Sequence, residues 1–173
     1  MPPPIPVKLH QHDRRWAAVA EAEGARLANA TTAILEVHHI GSTAIPGLLA
    51  KPIIDLLGVA TSLADLDRER AAIEALGYTW HGEYGLAERR YCTLSDTETG
   101  ERLVQLHCYP QGEFSIRRHL LFRDYLRARP EFAAAYEREK KRCAELYPND
   151  SHAYGACKAM WIEQVEDQAI KAA

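Results

Sequence analysis

"HHIGSTAIPGLLAKPIIDLL", residues 38–57, passes from a β-branched run through a Gly-Ser turn into a second apolar run that carries one carboxylate, Asp55. Gly41 lets the chain turn tightly with no Cβ in the way, and the Ser42 and Thr43 hydroxyls can cap a helix or donate to an anion. A short helix starting there would aim its free N–H groups and positive dipole end outward, which favours phosphate. The plainer reading is a helix cap with no ligand. In "PIIDLLGV" (52–59) the Asp55 carboxylate interrupts an apolar strand, and burying it is costly unless it binds a metal or pairs with Lys51 or an arginine.

The rest of the chain arranges itself around this unit. The prolines of "PPPIP" impose an extended start, and Asp13 is placed to cap a helix to about Asn29, with Trp16, Val19, Ala20 and Leu27 inward and Glu21 and Glu23 outward. Ile34 to Ile40 reads as a strand. Its alternation sets Leu35, Val37 and His39 against Ile34, Glu36 and His38. Pro52 to Val59 reads as a central strand covered on both faces. Ser62 and Asp65 form a capping-box-like start to a helix that Gly77 stops. Short strands follow at about Tyr78–His81, Arg90–Leu94 and Leu103–Tyr109, the last two as a hairpin across "SDTETGE". Three helices complete the chain: one capped by Ser115 and ending at Arg129, one opened by Pro130, and one in which Tyr154, Cys157, Trp161 and Val165 share a face. The expected class is α+β, a mixed sheet flanked by helices with a helical C-terminal third, in one domain over residues 1–173.

Composition excludes several classes. With 47% hydrophobic and 26% charged residues the chain is neither disordered nor collagen-like. It has no apolar run of the roughly 20 residues that span a bilayer and no signal-peptide pattern, so a cytoplasmic protein with no membrane partner is expected. A net charge of −3 and the absence of a basic stripe argue against nucleic acid. Cys92, Cys108, Cys143 and Cys157 form no C-x-x-C pair and are expected as free, mostly buried thiols. His10, His12, His81 and His152 read as surface histidines.

The Gly-Ser turn, helix and strand Asp resemble the signature of the nucleotidyltransferase superfamily. More closely, "HIGSTAIPGLLAKPIIDLL" together with "AERRYCT" (87–93), "QLHCY" (105–109), "RRHLLFRDYLRARPE" (117–131) and "AYGACKAMWIEQV" (153–165) resembles the GrpB family, a group also found fused to dephospho-CoA kinase. The resemblance implies a nucleotidyltransferase-like fold in which Gly41 and Ser42 hold phosphates and Asp55 holds a divalent metal, and the Thr43 hydroxyl next to them is a further candidate for phosphate. It also exposes a gap. The superfamily's second acid falls where this chain has Leu57, and the family's usual His-Leu-His and Glu-His stand here as Gln105-Leu106-His107 and His38-His39.

The missing ligand is sought in His107, as a ligand or general base, with a core histidine as the alternative. Adjacent strand residues point to opposite faces, so His38 and His39 cannot both be ligands, and the resemblance, which retains His39, implies His39 as the further metal ligand. Lys51 and Arg90 are the cations chosen to read an anion, from a set that includes Arg89, Arg117, Arg118 and Lys158; a solvated face is the bland reading of the arginines at 117 and 118. The implied cofactors are a divalent metal (Mg, Mn or Zn) and a nucleotide such as ATP, and the implied partner is a small-molecule or nucleotide ligand. Three functions follow: metal-dependent nucleotidyl or phosphoryl transfer to a small molecule; a non-catalytic nucleotide- or CoA-type ligand-binding module; and ligation or hydrolysis on a carboxylate substrate.

Overall fold

The computed structural model describes residues 3–173. Five strands, β1 (Ile34–Ile40), β2 (Ile54–Ala60), β3 (Thr79–Trp80), β4 (Arg90–Ser95) and β5 (Arg102–Pro110), form a mixed sheet in the order β1-β2-β5-β4-β3. β2 and β5 run parallel and every other pairing is antiparallel, including the expected β4–β5 hairpin. The pairing aligns Asp55 with Gln105, Leu57 with His107, and His107 with Tyr91. Paired residues share a sheet face, so Asp55, Leu57, Gln105, His107 and Tyr91 all point the same way.

The opposite face is the main core. α1 (Arg15–Ala30), α2 (Leu63–Arg68) and α3 (Arg70–Ala75) cover it, packing Trp16, Leu27, Leu66 and Ile73 on Ile54, Leu56, Leu106 and Cys108. Two expectations for α1 are corrected. Val19 is 48% exposed, and Glu23 is buried, where it pairs with Arg26 at 2.8 Å and accepts a hydrogen bond from the Tyr78 hydroxyl. A partnered carboxylate can sit inside, so polarity alone misplaced it. The helix begins at Arg15, with the Asp13 carboxylate accepting from the Arg15 amide. A register shift between Ile34 and Glu36 also breaks the expected alternation, so that Ile34 and Val37 both pack on the α1 side.

Ser62 caps α2 as expected, accepting from the Asp65 amide. The expected single helix is interrupted at Glu69, whose carboxylate is drawn to Thr31 and Thr32 instead. On the Asp55 side, α4 (Phe114–Ala128) packs Ile116 and Leu120 on Ile40, Leu57 and Tyr109. Glu113 rather than Ser115 caps it. α5 (Pro130–Leu146) and α6 (Ser151–Lys171) complete the helical third, with Tyr136 stacked on Trp161 at 4.9 Å. Cys143 and Cys157 join α5 to α6 as a disulfide, which corrects the expectation of free thiols for that pair; Cys92 and Cys108 are free and buried. No helix among the described residues is long and apolar enough to cross a membrane.

Candidate functional site

The expected helix after the Gly-Ser turn is a single 3-10 turn, Ser42–Ala44, followed by a bend at Pro46-Gly47. Three residues cannot build a macrodipole, so that part of the anion argument fails. The turn serves the site sterically instead. Gly41 has φ 73° and ψ −169°, a region essentially closed to other residues, and a Cβ there would lie 2.6 Å from Asp55 Oδ2. Gly41 therefore lets the backbone press against the carboxylate.

Ser42, Thr43 and Asp55 form one wall of a cleft of about 150 Å³. Gln105 of the neighbouring strand and Lys51 extend that wall, and the helical third closes the cleft with Lys140 of α5 and with Tyr154 and Lys158 of α6. Three amines thus face one carboxylate. Lys140 is 1% exposed and donates to the Leu49 carbonyl. Lys158 lies over the Tyr154 ring at 4.2 Å, and Lys51 over the same ring at 5.5 Å. Burial, reinforced by the Lys158 charge, pushes the Lys140 amine down to about 7. Burial likewise pushes Lys158 down to about 8, with the Asp55 charge opposing, and lowers Lys51. Holding one buried and two half-buried amines against one acid is unfavourable without a further anion.

On the other side of Asp55 stands His107, its Nε2 3.9 Å from Asp55 Oδ1. The Arg89 guanidinium lies 3.5 Å from His107 Nδ1 and 5.0 Å above the Tyr91 ring, while donating to the Glu83 and Tyr84 carbonyls. Arg89 can only donate, so this contact suits the His107 tautomer that accepts at Nδ1 and leaves Nε2 as the nitrogen nearer Asp55. His119 of α4 sits beyond, 6.3 Å from His107 between ring centroids, and burial pushes it down to about 3.

Ser42, Thr43, Lys51, Asp55 and His107 therefore lie close together. Arg90 does not join them. It pairs with Cys108 in the register, on the main-core face, where Asp67 of α2 holds it at 2.6 and 2.7 Å. Arg89, one residue earlier, is the buried arginine of the site. His39 is also turned away from Asp55: it pairs with Leu56, bonds Thr43 Oγ1 at 2.8 Å, and is pushed down to about 4 by burial. His38, on the Asp55 face, is spent on Glu36 at 2.8 Å. Arg118 pairs with Glu166 and Arg123 with Asp124, outside the cleft. Of the expected surface histidines, His10 and His152 are exposed, whereas His12 and His81 are half-buried against Trp16 and Thr93. Lys140 and His119 escaped the sequence reading: "EREKKRC" looks like a solvated helix face, and only its docking shows that one lysine points inward. The described donors bring no second carboxylate to Asp55, and Leu57, 0% exposed, belongs to the apolar contact with α4.

A family model described as GrpB protein matches residues 6–168. UPF0157 protein YqkA of Bacillus subtilis is 39% identical over 164 residues, covering 94% of this chain and 47% of that protein. A dephospho-CoA kinase of Mycolicibacterium paratuberculosis is 28% identical over 193 residues, covering 95% of this chain and 46% of the kinase. The chain spans about half the length of these two relatives. Among solved structures, the conserved protein GrpB from Enterococcus faecalis superposes with a TM-score of 0.87 at 34% identity, covering 95% of this chain and 98% of that one. Cid1 in complex with the UTP analogue UMPNPP gives a TM-score of 0.53 at 18% identity over 85% of this chain and 48% of Cid1, a likeness of fold alone. The sheet order, the placement of Asp55 beside the Gly-Ser turn and these matches lead to one conclusion: the chain belongs to the GrpB family and has a nucleotidyltransferase-like fold.

Proposed function

We propose that the cleft binds the polyphosphate of a nucleotide with a divalent cation at Asp55, and that the protein transfers a nucleotidyl or phosphoryl group to a small molecule. The observation that carries this reading is the surplus of Lys51, Lys140 and Lys158 over the single carboxylate Asp55 in one cleft. Buried amines of this kind regain their protons when a phosphate replaces the lost water. The fold likeness to Cid1, solved in complex with a UTP analogue, and the similarity to a dephospho-CoA kinase agree with a phosphate-bearing ligand.

The donor set fits Mg²⁺ or Mn²⁺ rather than Zn²⁺. Asp55, the Ser42 hydroxyl and the Gln105 amide are hard oxygen donors, and such ions are commonly held by one or two carboxylates plus substrate phosphates. A zinc site would need more protein ligands. Yet His39 faces away, and His107 is the one imidazole beside Asp55, with its Nδ1 against the Arg89 guanidinium. When bound, the cation neutralises phosphate charge. The lysines and Ser42 would orient the phosphates, and Arg89 would hold His107 in the tautomer that steadies Asp55.

Calorimetric titration of the full chain with ATP and AMP, with and without Mg²⁺, tests the reading. ATP should bind at least tenfold tighter than AMP, and Asp55→Asn should remove the effect of Mg²⁺; equal affinity for the two nucleotides would sink it. The ligand-binding module remains the second reading, because Leu57 occupies the place of the second acid. Phosphorus NMR separates the two: a bound nucleotide that stays intact with every acceptor offered favours the module.

A further inference from the structure

A second groove, of about 470 Å³, borders the cleft, and the two share Lys51 and Ile53 as lining residues. Its polar wall presents Lys8, His10, Lys51 and Arg102, with Glu101 as the one acidic side chain among the residues lining it. Ile5, Pro52 and Leu103 supply an apolar wall, Leu103 being 41% exposed. The Arg102 Nε is buried and has no hydrogen-bond partner among the described residues, and no carboxylate there lies within ion-pair distance of its guanidinium. The N-terminal wall is pinned. Ile5 accepts from the Ser151 amide, Val7 donates to the Pro148 carbonyl, and His10 exchanges two backbone bonds with Ala50 at 2.8 and 3.0 Å.

Resting on the nucleotide reading of the cleft, we infer that this groove is the acceptor subsite and takes a small molecule with an apolar body and an anionic oxygen group, carboxylate or phosphate, held by Arg102, Lys8 and Lys51. A nucleoside is the poorer occupant, since it is uncharged and the groove offers His10 as its one ring for stacking. The chemistry agrees. An anionic oxygen arrives without a proton, so it attacks the nucleotide phosphorus directly and forms the new P–O bond. At the α position the P–O bond to the β-phosphate breaks and pyrophosphate leaves with that electron pair; at the γ position the P–O bond to the β-phosphate breaks and the nucleoside diphosphate leaves with it. No base is needed, which suits a site whose histidine is held between Asp55 and Arg89.

The test uses the full chain, titrated with phenyl phosphate, benzoate and benzyl alcohol, each with and without ATP and Mg²⁺. At least one anionic probe should bind ten times tighter than benzyl alcohol. That preference should fall at least fivefold in Arg102→Gln and in Lys8→Glu, an exposed position whose change spares the fold, while the affinity for inorganic tripolyphosphate stays within twofold. Equal binding of all three probes, or a preference untouched in both variants, overturns the inference. So does an Arg102→Gln variant that loses ATP but not tripolyphosphate, because the groove would then hold the nucleoside. Anionic probes that bind where ATP does not would leave the subsite standing and remove the nucleotide reading; ATP binding with no probe preference does the reverse.

Discussion

Lys140→Met separates a lysine kept for its charge from one kept for packing. In the folded chain the amine falls from 10.5 to about 7, so at pH 7 its burial opposes folding by roughly 4 kcal/mol by linkage. Methionine matches the volume and relieves that cost, but it leaves the Leu49 carbonyl without its donor, a loss of about 1–3 kcal/mol. The balance is a stabilisation of about 1–3 kcal/mol, or on the order of 5 °C in the melting temperature of a domain this size. The same substitution removes a charged contact to phosphate and should weaken ATP binding about tenfold or more. Scanning calorimetry of the ligand-free protein and titration with ATP read the two effects separately. A variant that melts lower than the parent and binds ATP equally well would refute the reasoning, since Lys140 would then be a core hydrogen-bond donor and nothing more.

Gly41→Ala should cost about 1–3 kcal/mol in backbone strain alone. It should also abolish metal-dependent binding by pushing the Asp55 carboxylate aside, measurable as a lower melting temperature with no response to Mg²⁺. Between pH 7 and 9.5 the unfolded chain holds protons that folded Lys140 and Lys158 have released, so stability of the ligand-free protein should rise with pH. ATP affinity should fall over the same range as the amines lose charge, and denaturant titrations beside calorimetry will show whether the slopes have opposite sign. On the acid side, His39 and His119 stay neutral in the fold down to about 4 and about 3, so stability should drop as pH falls below 6.5, and less steeply in His119→Phe. Replacing both Cys143 and Cys157 by serine opens a loop with a sequence separation of 14, which should lower stability by about 3 kcal/mol, and a reducing agent should lower the parent's melting temperature likewise.

Local chemistry made much of the molecule legible. The β-branched run at 34–40, Gly41, the Ser62 cap, Gly77 and Pro130 each act within a few residues of chain, and the structure places strands, caps and breaks at or near them. Asp55 stood out because a carboxylate in an apolar strand needs a reason wherever that strand is packed. The errors were of a different kind. Arg89 and Arg90, or His38 and His39, are equivalent by composition, and only strand register decides which of each pair looks at Asp55.

What the sequence by itself determined is the family, the sheet and the Gly-Ser turn beside one carboxylate. Tertiary structure alone decided the charge of the site. Lys140 and Lys158 lie 85 and 103 residues beyond Asp55. Their amines become costly, and therefore informative, only when α5 and α6 dock over the strand edge and strip them of water.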